Sequence, residues 1–246
     1  MDALPAGGGR FALRALRLAG ADAVEKRGDD DALERETTAL RALTGAPGVP
    51  AVLARAPGLL VTRRLPGTPR EAGAVGDGAW RRLGALLRAL HEREGFDAAR
   101  RPDGSLHADG VALARARRRD AATAALATGL PPPPDAPPPA FGGPFRRIHG
   151  DLVLSNVVWD DDAPGLVDWE FSRPSDPAED LGYLAGVNLL PGAARASLAA
   201  GYDDAAAWAR AAWWEPVVVA EAAAWWRAHG QPDRAAVLLP RARSHG

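Results

Sequence analysis

The chain has 246 residues, a net charge of −1 and 47% hydrophobic residues, which is typical of a globular protein with one two-lobed domain or two joined domains. It contains no cysteine, which excludes disulfide bonds, thiolate metal sites and cysteine nucleophiles. No apolar run is long enough to span a bilayer, and the first residues lack a secretory signal pattern. We therefore expect a cytoplasmic protein with no membrane partner.

Charged residues are distributed unevenly along the chain. Residues 131–246 carry 15 acidic and 9 basic side chains, whereas residues 1–130 carry 16 and 21. An acidic second half would suit a cationic ligand, although catalytic carboxylates would account for part of the same excess. Arginine outnumbers lysine by 29 to 1, which indicates a compositional bias. The single lysine, Lys26, therefore stands out, because a compact ammonium group binds phosphate oxygens well.

The first part of the chain predicts a small sheet with one helix. Glycines at positions 7–9 predict either a terminal tail or a turn whose backbone approaches phosphates, although their spacing differs from G-x-G-x-x-G. Four runs are typical of strands, at residues 10–18, 23–26, 51–54 and 58–63. An apolar stripe predicts a helix over residues 29–43, with Glu36 in its middle. Leu65-Pro66-Gly67 interrupts this pattern, and we place the boundary between two lobes there.

Helices dominate the rest of the predicted structure. Apolar periodicity predicts helices over residues 80–94 and 111–126, and again from residue 177 onward. Arginines on the second of these helices indicate a solvated face rather than a nucleic-acid surface, because no aromatic residues alternate with them. Residues 131–139 contain seven prolines and predict an extended connector. His91, at the end of a helical stripe, is expected to be a packed or capping residue.

Two short motifs carry the chemistry of the chain. One is H-x-D-L-x-x-x-N, from His149 to Asn156, and the other is an apolar run that ends at Asp168; residues 156–159 and 165–168 predict the arms of a hairpin. Phosphoryl transfer needs a carboxylate that receives the proton of the acceptor hydroxyl, and an amide oxygen and a second carboxylate that hold Mg²⁺. Asp151, Asn156 and Asp168 supply these groups. Asp151 and Asn156 alone would also suit an Asx turn and a helix cap, but their combination with Asp168 favours the catalytic interpretation.

At these residues the chain resembles the aminoglycoside phosphotransferase and choline kinase family, whose members are related to protein kinases. The resemblance runs from about residue 7 to residue 184 and is strongest at residues 148–156, 167–170 and 176–181, with further matches at Leu90-His91 and Pro66-Gly67. It implies an α+β, two-lobed, protein-kinase-like fold. Residues 1–66 would form a small, β-rich N-terminal lobe with one helix, and residues 67–246 a larger, mainly helical C-terminal lobe.

The resemblance also implies roles for individual residues. Asp151 would accept or orient the acceptor hydroxyl, and Asn156 and Asp168 would bind Mg²⁺. Lys26 would hold the α- and β-phosphates of ATP, and Glu36 would orient Lys26. The remaining nucleotide contacts would come from the glycine turn and from backbone groups near the end of the fourth strand: Gly8, Gly9, Val61 and Arg63. Glu170 would reach a second metal ion, and His149 would shape its loop by hydrogen bonding.

The acceptor is less constrained than the reaction. We expect a hydroxylated small molecule, an aminoglycoside or other cationic antibiotic, because acidic residues are frequent in the C-terminal half: Asp203, Asp204, Glu215 and Glu221. A metabolic kinase for choline, an amino alcohol or a sugar is the alternative. Few residues precede Gly7, so the first strand of the small lobe is expected to be short or missing. Together with the Pro-rich segment, this leaves a non-catalytic nucleotide-binding module as a third possibility.

Overall fold

A computed structural model describes residues 11–93, 110–136 and 145–242 of the chain. Its N-terminal part is an antiparallel sheet in the order β1-β2-β4-β3, covered by one helix. These elements are β1 (Ala12–Leu18), β2 (Ala21–Arg27), α1 (Asp30–Ala42), β3 (Val52–Ala56) and β4 (Leu59–Arg63). The predicted strands and helix are confirmed to within a few residues. The predicted turn at Gly7–Gly9, and any strand before it, lie outside the described residues.

Local sequence explains how these elements begin and turn. Ala19 and Gly20 both have positive φ, 50° and 83°, which is the backbone that a tight two-residue hairpin between β1 and β2 requires. The side chain of Asp29 accepts a hydrogen bond from the backbone N–H of Ala32 at 2.8 Å and so caps α1. The buried face of α1 carries Leu33, Leu40 and Glu36, so the same packing that holds the helix on the sheet also buries a carboxylate there.

The C-terminal part consists mainly of helices around two small antiparallel sheets. The helices are α2 (Asp77–His91), α3 (Gly110–Ala127), α4 (Ala178–Val187), α5 (Gly192–Tyr202), α6 (Ala205–Ala228) and α7 (Pro232–Ala242). The sheets are formed by β5 (Thr68–Pro69), β7 (Val157–Asp160) and β8 (Ala163–Leu166), and by β6 (Arg146–Ile148) and β9 (Arg173–Ser175). No helix among the described residues is long and apolar enough to cross a membrane.

Glycines allow two of these helices to approach each other closely. A Cβ atom added at Gly84 of α2 would lie 2.2 Å from the carbonyl oxygen of Leu198, and one added at Gly201 of α5 would lie 1.9 Å from that of Arg81. Both distances are far below van der Waals contact, so α2 and α5 can pack at this separation only with glycine at both positions. This pair of helices is linked to the segment that carries the H-x-D motif. His91 at the end of α2 contacts Asp180, and Asp180 accepts a hydrogen bond from the backbone of His149.

The boundaries of two predicted elements needed correction. The helix predicted over residues 80–94 begins at Asp77 and ends at His91. The sequence pattern did not indicate its first turn, because Asp77-Gly78 is polar and carries no apolar stripe. The hairpin arms predicted at 156–159 and 165–168 are shifted inward to 157–160 and 163–166. Asn156 instead ends a 3-10 turn and Asp168 follows β8 with φ of 67°. Both residues therefore lie at the ends of the hairpin rather than within its strands.

The solvated face predicted for the arginines of α3 is confirmed for Arg115 and Arg119, which are exposed, but not for Arg117 and Arg118. Arg117 is half-buried and donates hydrogen bonds to Glu179 of α4 and to Glu221 of α6. Arg118 donates to the carbonyl oxygen of Pro134 at 3.2 Å. Residues 131–136 have no helix or strand, as expected of a Pro-rich connector, and are held against the helices by this contact. Residues 137–139 lie outside the described part of the chain.

Candidate active site

Lys26 joins the sheet to the metal-binding segment predicted from the sequence. Its Nζ atom, at the end of β2, donates to Oε2 of Glu36 at 2.8 Å and to Oδ1 of Asp168 at 2.6 Å. The ammonium group also lies 4.2 Å from the centre of the Phe11 ring. Burial opposes the charged form of Lys26, but the carboxylates of Glu36 and Asp168 outweigh this effect and raise its pKa. Lys26 is therefore a fixed cation that faces the position of Asp168.

Glu36 is held in place from two sides. Only 7% of its side chain is exposed, and burial raises the pKa of its carboxyl group. The ammonium of Lys26 and the backbone N–H of Trp169 act in the opposite direction by stabilising the carboxylate. Because α1 places Glu36 on its buried face, Lys26 is oriented by a side chain that is itself immobilised. Glu34, the other glutamate in this part of α1, lies on the exposed face and is 3.4 Å from Arg55 instead.

The loop that follows β6 is anchored by a fully buried carboxylate. Oδ2 of Asp180 accepts a hydrogen bond from the backbone N–H of His149 at 2.7 Å, and Oδ1 accepts one from that of Gly150 at 2.9 Å. Nε2 of His91 lies 3.1 Å from the same carboxylate, and its other ring nitrogen is 2.9 Å from the hydroxyl of Tyr202. Burial would raise the pKa of Asp180, but these contacts lower it. His91 is thus a packed residue, as expected.

The ring of His149 connects the loop to the segment before Asp168. Its Nε2 atom lies 3.0 Å from the carbonyl oxygen of Val167, and its Nδ1 atom accepts a hydrogen bond from the backbone N–H of Asp151 at 3.3 Å. A neutral ring with its proton on Nε2 satisfies both contacts. The ring also lies 4.5 Å from that of Trp169. These contacts confirm that His149 shapes the loop.

The carboxylate of Asp151 is held by two donors. The hydroxyl of Tyr183 donates to Oδ1 at 2.5 Å, and Nδ2 of Asn156 donates to Oδ2 at 3.2 Å and to the carbonyl oxygen of Asp151 at 2.9 Å. Burial raises the pKa of Asp151, and the hydrogen bonds from Tyr183 and Asn156 oppose that rise. The preceding residue, Gly150, has φ of 83°, and an added Cβ would lie 2.4 Å from the carbonyl oxygen of Phe171, so only glycine fits there.

Asn156 and Asp168 lie side by side at the end of the hairpin. The backbone N–H of Val167 donates to the carbonyl oxygen of Asn156 at 3.0 Å. The Asn156 amide nitrogen is used by Asp151, so its amide oxygen is the atom that could bind a cation. Asp168 has 37% of its side chain exposed. One carboxylate and one amide oxygen fit Mg²⁺, which takes few protein ligands and completes its shell with phosphates and water. The described residues contain no cluster of three or more His, Asp or Glu side chains that could bind a metal.

The predicted nucleotide contacts outside this cluster have different outcomes. Gly8 and Gly9 lie outside the described residues. Val61 is buried in β4, a central strand, where it is opposite Glu25 and Ala54. The backbone N–H of Arg63 donates to the carbonyl oxygen of Ala51 at 2.8 Å. Both residues thus lie in the sheet, and their contacts with the nucleotide remain predictions.

Two residues that support the loop could not be predicted from the sequence. Tyr183, on α4, donates to the predicted base, and Asn188, just after α4, binds the loop on both sides of residue 153. Its Nδ2 atom donates to the carbonyl oxygen of Leu152 at 2.7 Å, and its Oδ1 accepts from the backbone N–H of Leu154 at 2.8 Å. Neither residue belongs to a motif. The only available signal was that both follow the Asp176–Asp180 segment closely, Tyr183 within the same short helix and Asn188 at its end.

Three of the four carboxylates that suggested a cationic acceptor serve the fold instead. Glu215 makes two hydrogen bonds with Arg195, at 2.6 and 2.8 Å, and Glu221 pairs with Arg117. The side chain of Asp204 accepts from the backbone N–H of Ala207 and caps α6. Asp203 ends α5 with φ of 53°. The frequency of acidic residues in the C-terminal half is therefore no longer an argument for a cationic acceptor.

Glu170 is buried, and its predicted contact with a second metal ion remains a prediction.

Comparisons with known proteins agree with this arrangement. A profile of the phosphotransferase enzyme family matches residues 7–214. No curated protein sequence matches the chain significantly. The structure superposes on macrolide 2'-phosphotransferase MphH from Brachybacterium faecium with a TM-score of 0.68 and 20% identity, over 94% of this chain and 89% of that one. A choline/ethanolamine kinase family protein from Mesorhizobium loti gives a TM-score of 0.67 and 20% identity, over 97% and 85%.

A third similar structure contains ligands. It is a thermostable mutant of aminoglycoside phosphotransferase APH(4)-Ia in a ternary complex with AMP-PNP and hygromycin B, with a TM-score of 0.64 and 14% identity over 97% of this chain and 90% of that one. At such identities these three structures show a shared fold, with a β-sheet N-terminal region and a helical C-terminal region, as expected from the sequence. The family profile spans most of the sequence and includes Lys26, Asp151 and Asp168. The chain belongs to the phosphotransferase enzyme family.

Proposed function

We propose that the enzyme transfers the γ-phosphoryl group of ATP to a hydroxyl group of a small molecule, with Asp151 as the base. One observation carries the proposal: Lys26 lies within hydrogen-bond distance of both Glu36 and Asp168, while Asn156, which accepts a backbone hydrogen bond from Val167 beside Asp168, holds the carboxylate of Asp151. A cation suited to phosphate, two groups suited to a metal and a buried carboxylate are thus linked through side-chain contacts and one backbone hydrogen bond. This order is what phosphoryl transfer requires.

The reaction would depend mainly on position and charge. Asp151 would accept a hydrogen bond from the acceptor hydroxyl and receive its proton as the new P–O bond forms. Tyr183 and Asn156 would keep the carboxylate oriented towards the acceptor. Lys26 would hold phosphate oxygens of ATP, and Glu36 would stop the ammonium from turning away. Asn156 and Asp168 would hold Mg²⁺, which supplies positive charge that balances the charge on the phosphates.

Two classes of acceptor remain as proposals. The predicted aminoglycoside or other cationic antibiotic is supported by the fold shared with antibiotic phosphotransferases, and the metabolic alternative equally by the fold shared with a choline/ethanolamine kinase family protein. The carboxylates that favoured the antibiotic are used elsewhere, as described above. Fold alone does not select between them, because related folds serve different acceptors.

A screen for phosphoryl transfer tests the proposal. The enzyme is incubated with ATP and Mg²⁺ and with choline, ethanolamine, sugars or aminoglycosides in turn, and phosphate esters are detected by ³¹P NMR. We expect an ester with at least one class of hydroxyl compound. ATP that binds, as shown by a rise in melting temperature with Mg²⁺, but is consumed with none of them would instead indicate a nucleotide-binding module without catalysis.

A further inference from the structure

A cavity of about 250 Å³ lies beside the loop that carries Asp151. Its lining comes from five parts of the chain: Val153, Leu154 and Ser155 of the loop, Val187 and Asn188 at the end of α4, Trp226 of α6, Arg234 of α7, and Glu71. Drug-sized ligands need cavities of about 300–1,000 Å³. The volume here therefore fits a molecule of about the size of an amino acid, or one end of a larger acceptor.

The cavity borders the loop that carries the predicted base. Asn188, which lines it, is bonded to the backbone of both Leu152 and Leu154, and Leu152 follows Asp151 in the chain. Tyr183, one turn before Val187 on α4, donates to the Asp151 carboxylate. The same short helix thus fixes the base and forms a wall of the cavity. A molecule seated there would be next to the segment that presents the base.

Arg234 gives one wall a positive charge. Its guanidinium lies 4.4 Å from the centre of the Trp226 ring and donates to Oε1 of Gln231 at 3.1 Å. The stacked guanidinium covers this face of the ring, so an ammonium group cannot use the same face for a cation–π contact. An exposed guanidinium held in this way can instead donate two parallel hydrogen bonds to an anionic group such as a carboxylate, sulfonate or phosphate.

Glu71 adds a charge of the opposite sign. It precedes the short 3-10 turn at Ala72–Ala74, far from α7 in sequence, and its side chain is exposed. The lining also includes the apolar residues Val153, Leu154 and Val187. The cavity is thus neither an acidic site for a polycation nor an aromatic cage, because its two charged side chains have opposite signs.

We propose that this cavity binds the acceptor, and that the acceptor is a small hydroxyl compound with both an anionic and a cationic group. The inference rests on the proposed phosphotransferase function. Arg234 binds the anionic group, Glu71 binds the cationic group, and the hydroxyl is directed towards Asp151. A polycationic acceptor is disfavoured because Arg234 repels it, and a simple anion is disfavoured because Glu71 repels it.

Four small alcohols that differ mainly in charge test this proposal: L-serine carries both charges, ethanolamine is a cation, glycolate is an anion and ethylene glycol is neutral. Their binding is measured by ligand-detected NMR with the full-length enzyme, ADP and Mg²⁺. We expect serine to bind up to about five-fold more tightly than ethanolamine or glycolate, and ethylene glycol to bind most weakly, since one charge contact at an exposed site is worth at most about a factor of five. R234E should weaken serine and glycolate but strengthen ethanolamine, and E71Q should weaken serine and ethanolamine.

Arg227 provides a matched control. It is an exposed arginine next to Trp226 that does not line the cavity, so R227E changes the net charge equally and should leave the order of the four probes unchanged. Equal binding of all four probes, or an effect of R234E no larger than that of R227E, overturns the inference. ATP consumption tests the proposed function separately. If the enzyme shows no preference among the four probes but still forms phosphate esters, only the proposed acceptor class is rejected.

Discussion

At the scale of single residues, the site depends on how Asp151 is held rather than on Asp151 alone. Both oxygens of its carboxylate accept hydrogen bonds from the protein, one from Tyr183 and one from Asn156. Without these donors, the buried carboxylate would bind a proton more readily, because burial favours its neutral form. A protonated Asp151 could not receive the proton of the acceptor. Tyr183 would therefore keep the proposed base oriented and favour its ionised form.

Replacement of Tyr183 by Phe tests this role. The variant should lower kcat by about 10- to 100-fold, since a hydrogen bond to a charged group is worth about 1.5–3 kcal/mol. Loss of the donor should raise the pKa of Asp151 further, so activity should fall at a higher pH than in the wild type as the solution is acidified. The pH profile of kcat measures both effects. Y202F, which removes the hydroxyl near His91, is the control and should reduce stability without moving the profile.

At the scale of elements, a buried ion network holds three helices together. Glu179 of α4 accepts hydrogen bonds from Arg117 of α3, from Arg173 of β9 and from Ser175. Arg117 also pairs with Glu221 of α6. Burial would raise the pKa of Glu179, but Arg173 and Arg117 lower it to about 2, from an ordinary value of 4.5. The network thus fixes α4, which carries Tyr183 and Asp180, against its neighbours.

This network should make stability depend on acid pH. Because the pKa of Glu179 is lower in the folded protein than in the unfolded chain, its contribution is complete above about pH 4.5 and is lost as the pH falls towards 2. A shift of this size corresponds to about 3 kcal/mol. E179Q should therefore be less stable than the wild type at pH 7, and the difference should shrink between pH 4.5 and 3. Urea unfolding at several pH values measures it.

A surface glutamate provides the comparison for this measurement. Glu92 is 54% exposed and pairs with Arg88 on the same helix end. E92Q should change the free energy of unfolding by less than about 0.5 kcal/mol at every pH. A constant difference between E179Q and the wild type across the acid range would contradict the assigned role of the network.

At the scale of the whole molecule, one contact joins residues 142 positions apart in sequence. Lys26 of the sheet and Asp168 of the hairpin end form an ion pair of 2.6 Å across the site. In the proposed mechanism, phosphate oxygens would compete for Lys26, and Mg²⁺ would compete for Asp168. Binding of either partner would therefore release a group that the other one needs. This coupling predicts that ATP and Mg²⁺ strengthen each other's binding.

Calorimetry with ATP in the presence and absence of Mg²⁺ tests the coupling. In the wild type we expect Mg²⁺ to tighten ATP binding at least about 10-fold, within the usual range for coupled sites. In D168N this factor should be largely lost. Asp162 lies at the turn of the same hairpin and forms an exposed ion pair with Arg82 of α2, so D162N should keep the wild-type effect of Mg²⁺ on ATP binding. Equal factors in D168N and the wild type would show that Asp168 does not take part in binding the metal.

The sequence was informative where chemistry and local pattern coincide. Asp151, Asn156 and Asp168 could be recognised because their residue types and spacing are required by phosphoryl transfer, and α1 because its apolar stripe is regular. Tyr183 and Asn188 could not, because their roles arise from the packing of α4 against the loop and no periodicity encodes that contact. Arg117 was misjudged for a similar reason: this arginine of α3 is half-buried because Glu179 and Glu221, far away in sequence, converge on it.

The most direct test of the central claim is phosphate ester formation by D151N, compared with the wild type at saturating ATP, Mg²⁺ and acceptor. Asp160, an exposed residue at the end of β7, provides the matched control D160N. We predict that D151N lowers kcat by about 10²–10⁴-fold, the usual contribution of a general base, while ATP binding and melting temperature are maintained. The D160N variant should retain wild-type activity. A wild-type kcat in D151N would contradict the assignment of Asp151 as the base.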